Sequence, residues 1–203
     1  MTNVITIKNN ENQKTIGMEN RKKREIDPYD LMECKQMKNE RYEGKYTEFE
    51  FDELSKKEIL EHHYLDSNRP VVLASPKLQE IFNNYAPHDV QFIPTMLIDK
   101  NGETVDGYAM MNILTEIDGY DESHTLRTYY DNDPKTIDNM SGYTKLKYKD
   151  DAMDKHLVGR DRDFSFILFS EKFYNILKEE NIKLKDFKYY LAEEWYDDSI
   201  ETV

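Results

Sequence analysis

Four ionisable side chains in one short segment are the first candidates for chemistry: Glu58, His62, His63 and Asp66. The pairs Glu58/His62 and His62/Asp66 are each four residues apart, so on a helix each pair would share one face. Carboxylate and imidazole groups in this spacing can bind zinc, which activates water for hydrolysis. The order differs from the His-Glu-x-x-His motif, and no second histidine cluster follows. A metal-dependent hydrolase is therefore one alternative, but a polar helix end is the simpler interpretation, and we predict neither a metal nor a cofactor.

Other residues of catalytic type lack the sequence context that catalysis requires. Ser123 and His124 combine a nucleophile with a base, but adjacent residues need not face each other, and no Gly-x-Ser-x-Gly turn exists. The segment that begins at Asp131 starts like a calcium loop but lacks the central glycine and the final glutamate. The glycines form no phosphate-binding pattern. The sequence therefore predicts a protein that is not an enzyme and has no catalytic residues.

Acidic residues are concentrated in two segments that also contain aromatic residues. The first holds six acids against the single base Arg127, and the second has no base after Lys188. Acidic side chains steer a basic partner, and Tyr and Trp supply much of the contact area of interfaces. The alternative is a solvated acidic face without a partner. The predicted partner-binding residues are Glu116, Asp118, Asp121, Glu122, Asp131, Asp133, Glu193, Glu194, Trp195, Tyr196, Asp197 and Asp198.

Hydrophobic patterning predicts a mixture of strands and helices that must position these side chains. Predicted strands occupy 4–7, 47–51, 71–74, 89–98, 143–148, 164–169 and 187–191. Helical spacing predicts helices at 52–64, after the Ser75 cap and after the Ser170 cap. A hairpin turn at 99–102 makes its two strands antiparallel, and 119–141 is expected to form a long loop. The order of elements predicts an α+β fold with a mainly antiparallel sheet and a few packed helices.

The charge of the chain is divided unevenly between its two parts. The 203 residues carry a net charge of −13. Residues 1–45 hold 10 basic and 8 acidic residues, whereas 46–203 hold 18 and 33. We predict a polar N-terminal arm or subdomain at 1–45 and the main α+β domain at 46–203. The basic run 21–24 is too short for a phosphate-binding surface, so nucleic acid is not an expected partner.

The same composition predicts a soluble cytoplasmic protein. No apolar run approaches the roughly 20 residues that a membrane helix needs, and no secretory signal is recognisable, so no membrane association is expected. Cys34 is the only cysteine, which excludes an internal disulfide and fits a reducing compartment.

From about residue 69 to residue 195 the chain resembles a known family. The pattern lies in Phe92-Ile-Pro94, Asn112-Ile-Leu114 and Asp118-x-x-Asp121, followed by the apolar strand near Phe169. It resembles an immunity-protein family of bacterial polymorphic-toxin systems, although the glycine usual before the closing strand is absent here. The resemblance implies a small cytoplasmic protein, encoded beside a toxin that it neutralises.

Together, these observations predict an immunity protein that binds and occludes a cognate toxin. The acidic charge favours a basic toxin, such as a nuclease. The motif residues themselves are interpreted as scaffold. Asn112 is expected to satisfy a buried backbone group, and Asp118, Asp121 and Ser123 to anchor a loop through side-chain-to-backbone bonds. Besides the hydrolase, the remaining alternative is a non-enzymatic interaction module with another partner.

Overall fold

A computed structural model describes residues 4–9, 13–129, 140–163, 166–183 and 187–191. The strands in chain order are β1 (Val4–Asn9), β2 (Ile16–Arg24), β3 (Thr47–Glu50), β4 (Tyr64–Ser67), β5 (Leu73–Ala74), β6 (Val90–Ile98), β7 (Thr104–Val105), β8 (Ala109–Ile113), β9 (Glu116–Ile117), β10 (Leu126–Tyr129), β11 (Met140–Lys145), β12 (Val158–Asp161), β13 (Ile167–Ser170) and β14 (Phe187–Leu191). The helices are α1 (Asn39–Tyr42), α2 (Lys56–Ile59), α3 (Pro76–Tyr85) and α4 (Glu171–Glu179), with 3-10 turns at Gln13–Thr15 and Pro28–Met32.

Six strands of the larger sheet close into a barrel. Their order is β3-β2-β4-β5-β8-β6, and β6 pairs again with β3, while β7 extends the β6 hairpin. Phe49, Phe51 and Leu65 belong to the buried cluster of this barrel. Gly17 permits the close approach of β2, because a Cβ there would lie 2.8 Å from the Phe51 ring. The barrel therefore has its own packed core.

A five-stranded sheet with the order β14-β1-β13-β12-β9 forms the second part of the fold. Helices α3 and α4 share a buried cluster with this sheet, in which the Phe173 ring stacks on Phe82 and Phe169 at centroid distances of 5.0 and 4.8 Å. Ser75 and Ser170 cap the two helices, each accepting from the backbone N–H three residues later. These caps were expected from the sequence and are confirmed.

The predicted α+β class with mainly antiparallel pairing is confirmed. Two local predictions were wrong. Only Lys56–Ile59 of the predicted 52–64 helix is helical, and β4 begins at Tyr64. The predicted 119–141 loop contains β10, which pairs with β11. In both cases strand pairing to distant residues supplies backbone hydrogen bonds that local spacing does not reveal.

Pro94 lies where β6 changes neighbours. Residues 90–94 pair with β8, whereas the pairing with β3 begins only at Thr95. Pro94 thus pairs on its β8 side only, at the margin of the β3 pairing, where a residue without an N–H is tolerated.

Residues before position 46 supply strands to both sheets. Val4 pairs with Ser170 through β1, and Ile16 with Asp66 through β2. Whether 1–45 form a subdomain of their own stays a prediction. No helix among the described residues is long and apolar enough to cross a membrane.

Candidate functional site

The predicted acidic residues that the structure describes lie together on β9 and on the connection to β10. We call Glu116, Asp118, Asp121 and Glu122 the acidic surface. The side chains of Glu116, Asp118 and Glu122 are 56, 61 and 64 % exposed. Strand β9 reaches this position by leaving the barrel after β8 and pairing in parallel with β12. The acidic surface is therefore carried by the edge of the five-stranded sheet.

A buried carboxylate fixes the connection that carries the acidic surface. Asp161, which is 1 % exposed, accepts hydrogen bonds from the hydroxyls of Tyr120 and Tyr148, the latter at 2.8 Å. Its other oxygen accepts from the Asp163 N–H at 3.0 Å. Tyr120 and Tyr148 also form a backbone bridge, and their rings lie 5.2 Å apart. Asp161 thus adds a side-chain tie between β12 and the connection that follows β9.

Two arginines partly neutralise the acidic surface. Arg162 contacts Asp118 and lies 3.9 Å from Glu116. Arg127 bonds Glu122, with an Nη2–Oε1 distance of 2.8 Å, and its guanidinium lies over the Tyr120 ring at 5.7 Å. Hydrogen bonding to Arg127 lowers the pKa of Glu122. The surface therefore has mixed charge, with the acids in excess.

Asp121 organises a tight turn instead of pointing freely into solvent. It accepts from the Ser123 N–H at 3.0 Å and from the Ser123 hydroxyl at 2.6 Å, and lies 2.7 Å from His124 Nδ1. The Ser123 bond and then the His124 bond lower the pKa of Asp121 to about 2. The expected anchoring role of Asp121 is confirmed. Asp118 instead bonds the Arg162 side chain.

The Asp121, Ser123 and His124 side chains have the composition of a catalytic triad but not its geometry. Ser123 Oγ lies 2.9 Å from His124 Nδ1, the same nitrogen that contacts Asp121. A triad needs the serine and the carboxylate on opposite ring nitrogens, so that one orients the ring while the other exchanges the proton. The arrangement is that of an exposed turn.

The remaining predicted partner-binding residues lie outside the described residues, so their role stays a prediction. They are Asp131, Asp133, Glu193, Glu194, Trp195, Tyr196, Asp197 and Asp198.

The four metal-ligand candidates have separate roles. Glu58 forms a capping box with Ser55, and the hydrogen bonds from Ser55 lower the pKa of Glu58 to about 2. His62 is buried, and His63 Nδ1 lies 2.9 Å from the Ser75 hydroxyl. Asp66 belongs to β4, so the chain is no longer helical between these residues. Within the described ranges, no three His, Cys, Asp or Glu side chains form a group that could hold a metal ion.

Asn112 is buried as expected and holds the segment that follows the Pro28–Met32 turn. Its Nδ2 donates to the Lys35 carbonyl and to Gln91 Oε1, both at 2.9 Å. Gln91 in turn accepts from the Met37 N–H and donates to the Met37 carbonyl, each at 2.8 Å. Asn112 therefore satisfies a backbone group, as predicted, through a partly buried hydrogen bond.

A polar pocket of about 150 Å³ was missed by the sequence reasoning. It lies at the C-terminal end of α3 and the first turn of α4. Its lining residues are Tyr85, Ala86, Pro87, His88, Asp89, Asp154, Lys155, His156, Leu157 and Lys172. These residues come from three separate stretches of chain, and no motif connects them, so no local pattern could have indicated the pocket.

Comparison with known proteins adds a finding that covers nearly the whole chain. Residues 2–192 match the Immunity protein family (Imm11). The match includes residues 2–45, which the resemblance found in the sequence did not cover. Among curated proteins, no match was found.

Proposed function

Because the chain belongs to the Imm11 immunity protein family, we propose that it neutralises one cognate toxin by binding it and covering its active site, without turnover. The observation that carries this proposal is the family match over residues 2–192, which spans both sheets. An inhibitor of this kind needs a complementary surface and no catalytic groups of its own. The proposed compartment is the cytoplasm, where a lone Cys34 would stay reduced.

The net charge supports a basic toxin, such as a nuclease, as the partner. A charge of −13 raises the association rate with a positively charged protein and disfavours nucleic acid and anionic membranes. We assign the acidic surface to the contact, together with the predicted residues outside the described ranges. Four acids there face two arginines, so two negative charges remain in excess.

Two carboxylates of the acidic surface are paired with arginines in the free protein, and a toxin would have to compete with these arginines. Arg127 and Arg162 already satisfy Glu122 and Asp118, and a basic toxin side chain would compete for these same carboxylates. Such exchange of partners costs little at the exposed Arg162–Asp118 pair, because an exposed pair is worth only about 0–1 kcal/mol. At the second pair the Glu122 side chain is 64 % exposed, although Arg127 is only 18 % exposed. The acids thus remain available to a partner although they are paired in the free protein.

The test uses the toxin encoded beside the gene and two variants with equal charge changes. The site variant combines Glu116→Gln, Asp118→Asn and Glu122→Gln. The control combines Glu40→Gln, Glu43→Gln and Asp106→Asn, three exposed acids outside the acidic surface. Wild type should bind the toxin and protect cells that express it.

The rate of association separates local from global charge effects. The site variant should associate with the toxin more slowly than the control, and this difference should shrink with added salt as the Debye length falls from about 10 Å at 0.1 M toward 3 Å at 1 M. Equal association rates for the two variants would show that the acidic surface is not part of the contact with the toxin. Failure of the wild type to bind or protect would overturn the proposed function itself.

A further inference from the structure

We propose that the pocket between the end of α3 and the start of α4 binds a small oxyanion, a phosphate or a carboxylate group. This site is distinct from the acidic surface, and its function does not depend on the toxin. The cavity volume of about 150 Å³ equals that of an engineered cavity that takes up benzene, so a tetrahedral or planar anion fits without movement of the backbone.

The only deeply buried acid that lines the pocket already has its donors. Asp89 Oδ1 accepts from His156 Nδ1 at 2.8 Å and from the Thr115 hydroxyl at 3.4 Å, and its Oδ2 accepts from the Leu157 N–H at 2.7 Å. The Asp89 side chain is 7 % exposed. Both of its carboxylate oxygens therefore already have donors from within the fold and need none from the pocket.

The basic residues of the pocket, in contrast, are available. Lys155 and Lys172 are exposed, and neither has an acidic partner within the described residues. Lys172 also lies in the first turn of α4, where the backbone N–H groups add partial positive charge. Two lysines that line one cavity, neither paired with an acid in the described part of the chain, provide charge-assisted donors for an oxyanion.

Two histidines also line the pocket. His156 uses Nδ1 for Asp89, so Nε2 is the nitrogen left to face a ligand. His88 is exposed at the rim and has no partner among the described residues. Asp154 is the one exposed acid of the lining, which leaves the basic groups in excess at the entrance.

The test is a titration of the isotope-labelled full chain with inorganic phosphate at constant ionic strength, in which the amide NMR shifts are recorded at each step. A second titration with acetate separates the two sources of the oxyanion. We expect saturable shifts at the amides of residues 86, 88, 89, 155–157 and 172. Saturation by phosphate alone assigns a tetrahedral anion, whereas saturation by acetate also assigns a carboxylate, and both results support the site.

Matched variants distinguish binding of the anion in the pocket from its binding to exposed lysines elsewhere on the surface. Lys155→Gln with Lys172→Gln should weaken binding at least about tenfold, the loss expected from one charge-assisted hydrogen bond or more. Lys38→Gln with Lys57→Gln removes the same charge from exposed lysines elsewhere and should leave the affinity unchanged. Shifts that never saturate, that spread over all lysines, or that weaken equally in both variants would overturn the proposal.

Discussion

Replacing Asp161 by alanine should be among the most damaging single changes near the acidic surface. In the folded protein this carboxylate accepts from two buried tyrosine hydroxyls and one backbone N–H. Tyr120 and Tyr148 are 3 and 2 % exposed, so water cannot readily replace the lost acceptor. Hydrogen bonds to a charged group contribute about 1.5–3 kcal/mol each. Loss of the two tyrosine bonds therefore predicts a decrease of about 3–6 kcal/mol in the free energy of unfolding.

Two milder variants test the origin of this loss. Asp161→Asn keeps one acceptor oxygen and the shape of the side chain, so about half of the destabilisation should remain. Asp118→Asn removes an exposed acid that pairs with Arg162, and should change the free energy of unfolding by only about 0–1 kcal/mol. The order of stability should be D118N, then D161N, then D161A.

Urea denaturation followed by tyrosine fluorescence and far-UV circular dichroism measures all three variants. The denaturant dependence of the unfolding free energy must stay constant for the comparison to report stability alone. If the free energy of unfolding of D161A falls by less than about 1 kcal/mol, or by no more than that of D118N, the hydrogen bonds of Asp161 do not hold the connection between β9 and β10.

Three further predictions concern single contacts. Ser170→Ala should lower the free energy of unfolding by about 1 kcal/mol in urea denaturation, because α4 loses its N-cap. Ser170→Thr should keep most of the stability that this cap contributes. Gly159→Ala should cost about 1–3 kcal/mol in the same assay, because its Cβ would overlap Ile117 and lie 2.7 Å from the Ile117 Cδ1; an unchanged stability would refute this packing. Glu58 has its pKa lowered from 4.5 to about 2, so its ionised form stabilises the fold above pH 4.5 and this contribution is lost as the pH falls toward 2. The difference in unfolding free energy between wild type and Glu58→Gln should therefore shrink over that range, and a constant difference would contradict the assignment.

The sequence was most informative where local chemistry decides the structure. Serine followed by a helical apolar pattern identified the caps at Ser75 and Ser170, since a hydroxyl satisfies a free N–H at a helix start whatever the rest of the fold does. The apolar pattern at 164–169 likewise indicated a strand, and β13 is present at Ile167–Ser170. These features depend only on neighbouring residues.

Features that depend on distant pairing were not predictable from local pattern. Strand β2 is polar over much of its length, because it carries the exposed basic run, and nothing in its composition indicates that it pairs with β3 and β4 to close a barrel. The pairing of Glu116 and Asp118 with Arg162 could not be seen in the sequence, since Arg162 follows them by more than 40 residues.

Equimolar neutralisation of the toxin is the most direct test of the central claim. The activity of a fixed amount of the cognate toxin is measured against increasing amounts of purified protein, with and without a metal chelator. We expect a linear loss of toxin activity that is complete at equimolar protein, is unaffected by the chelator, and is reversed when the complex is dissociated. Inactivation by much less than an equimolar amount, or inactivation that persists after separation, would indicate turnover and contradict the account.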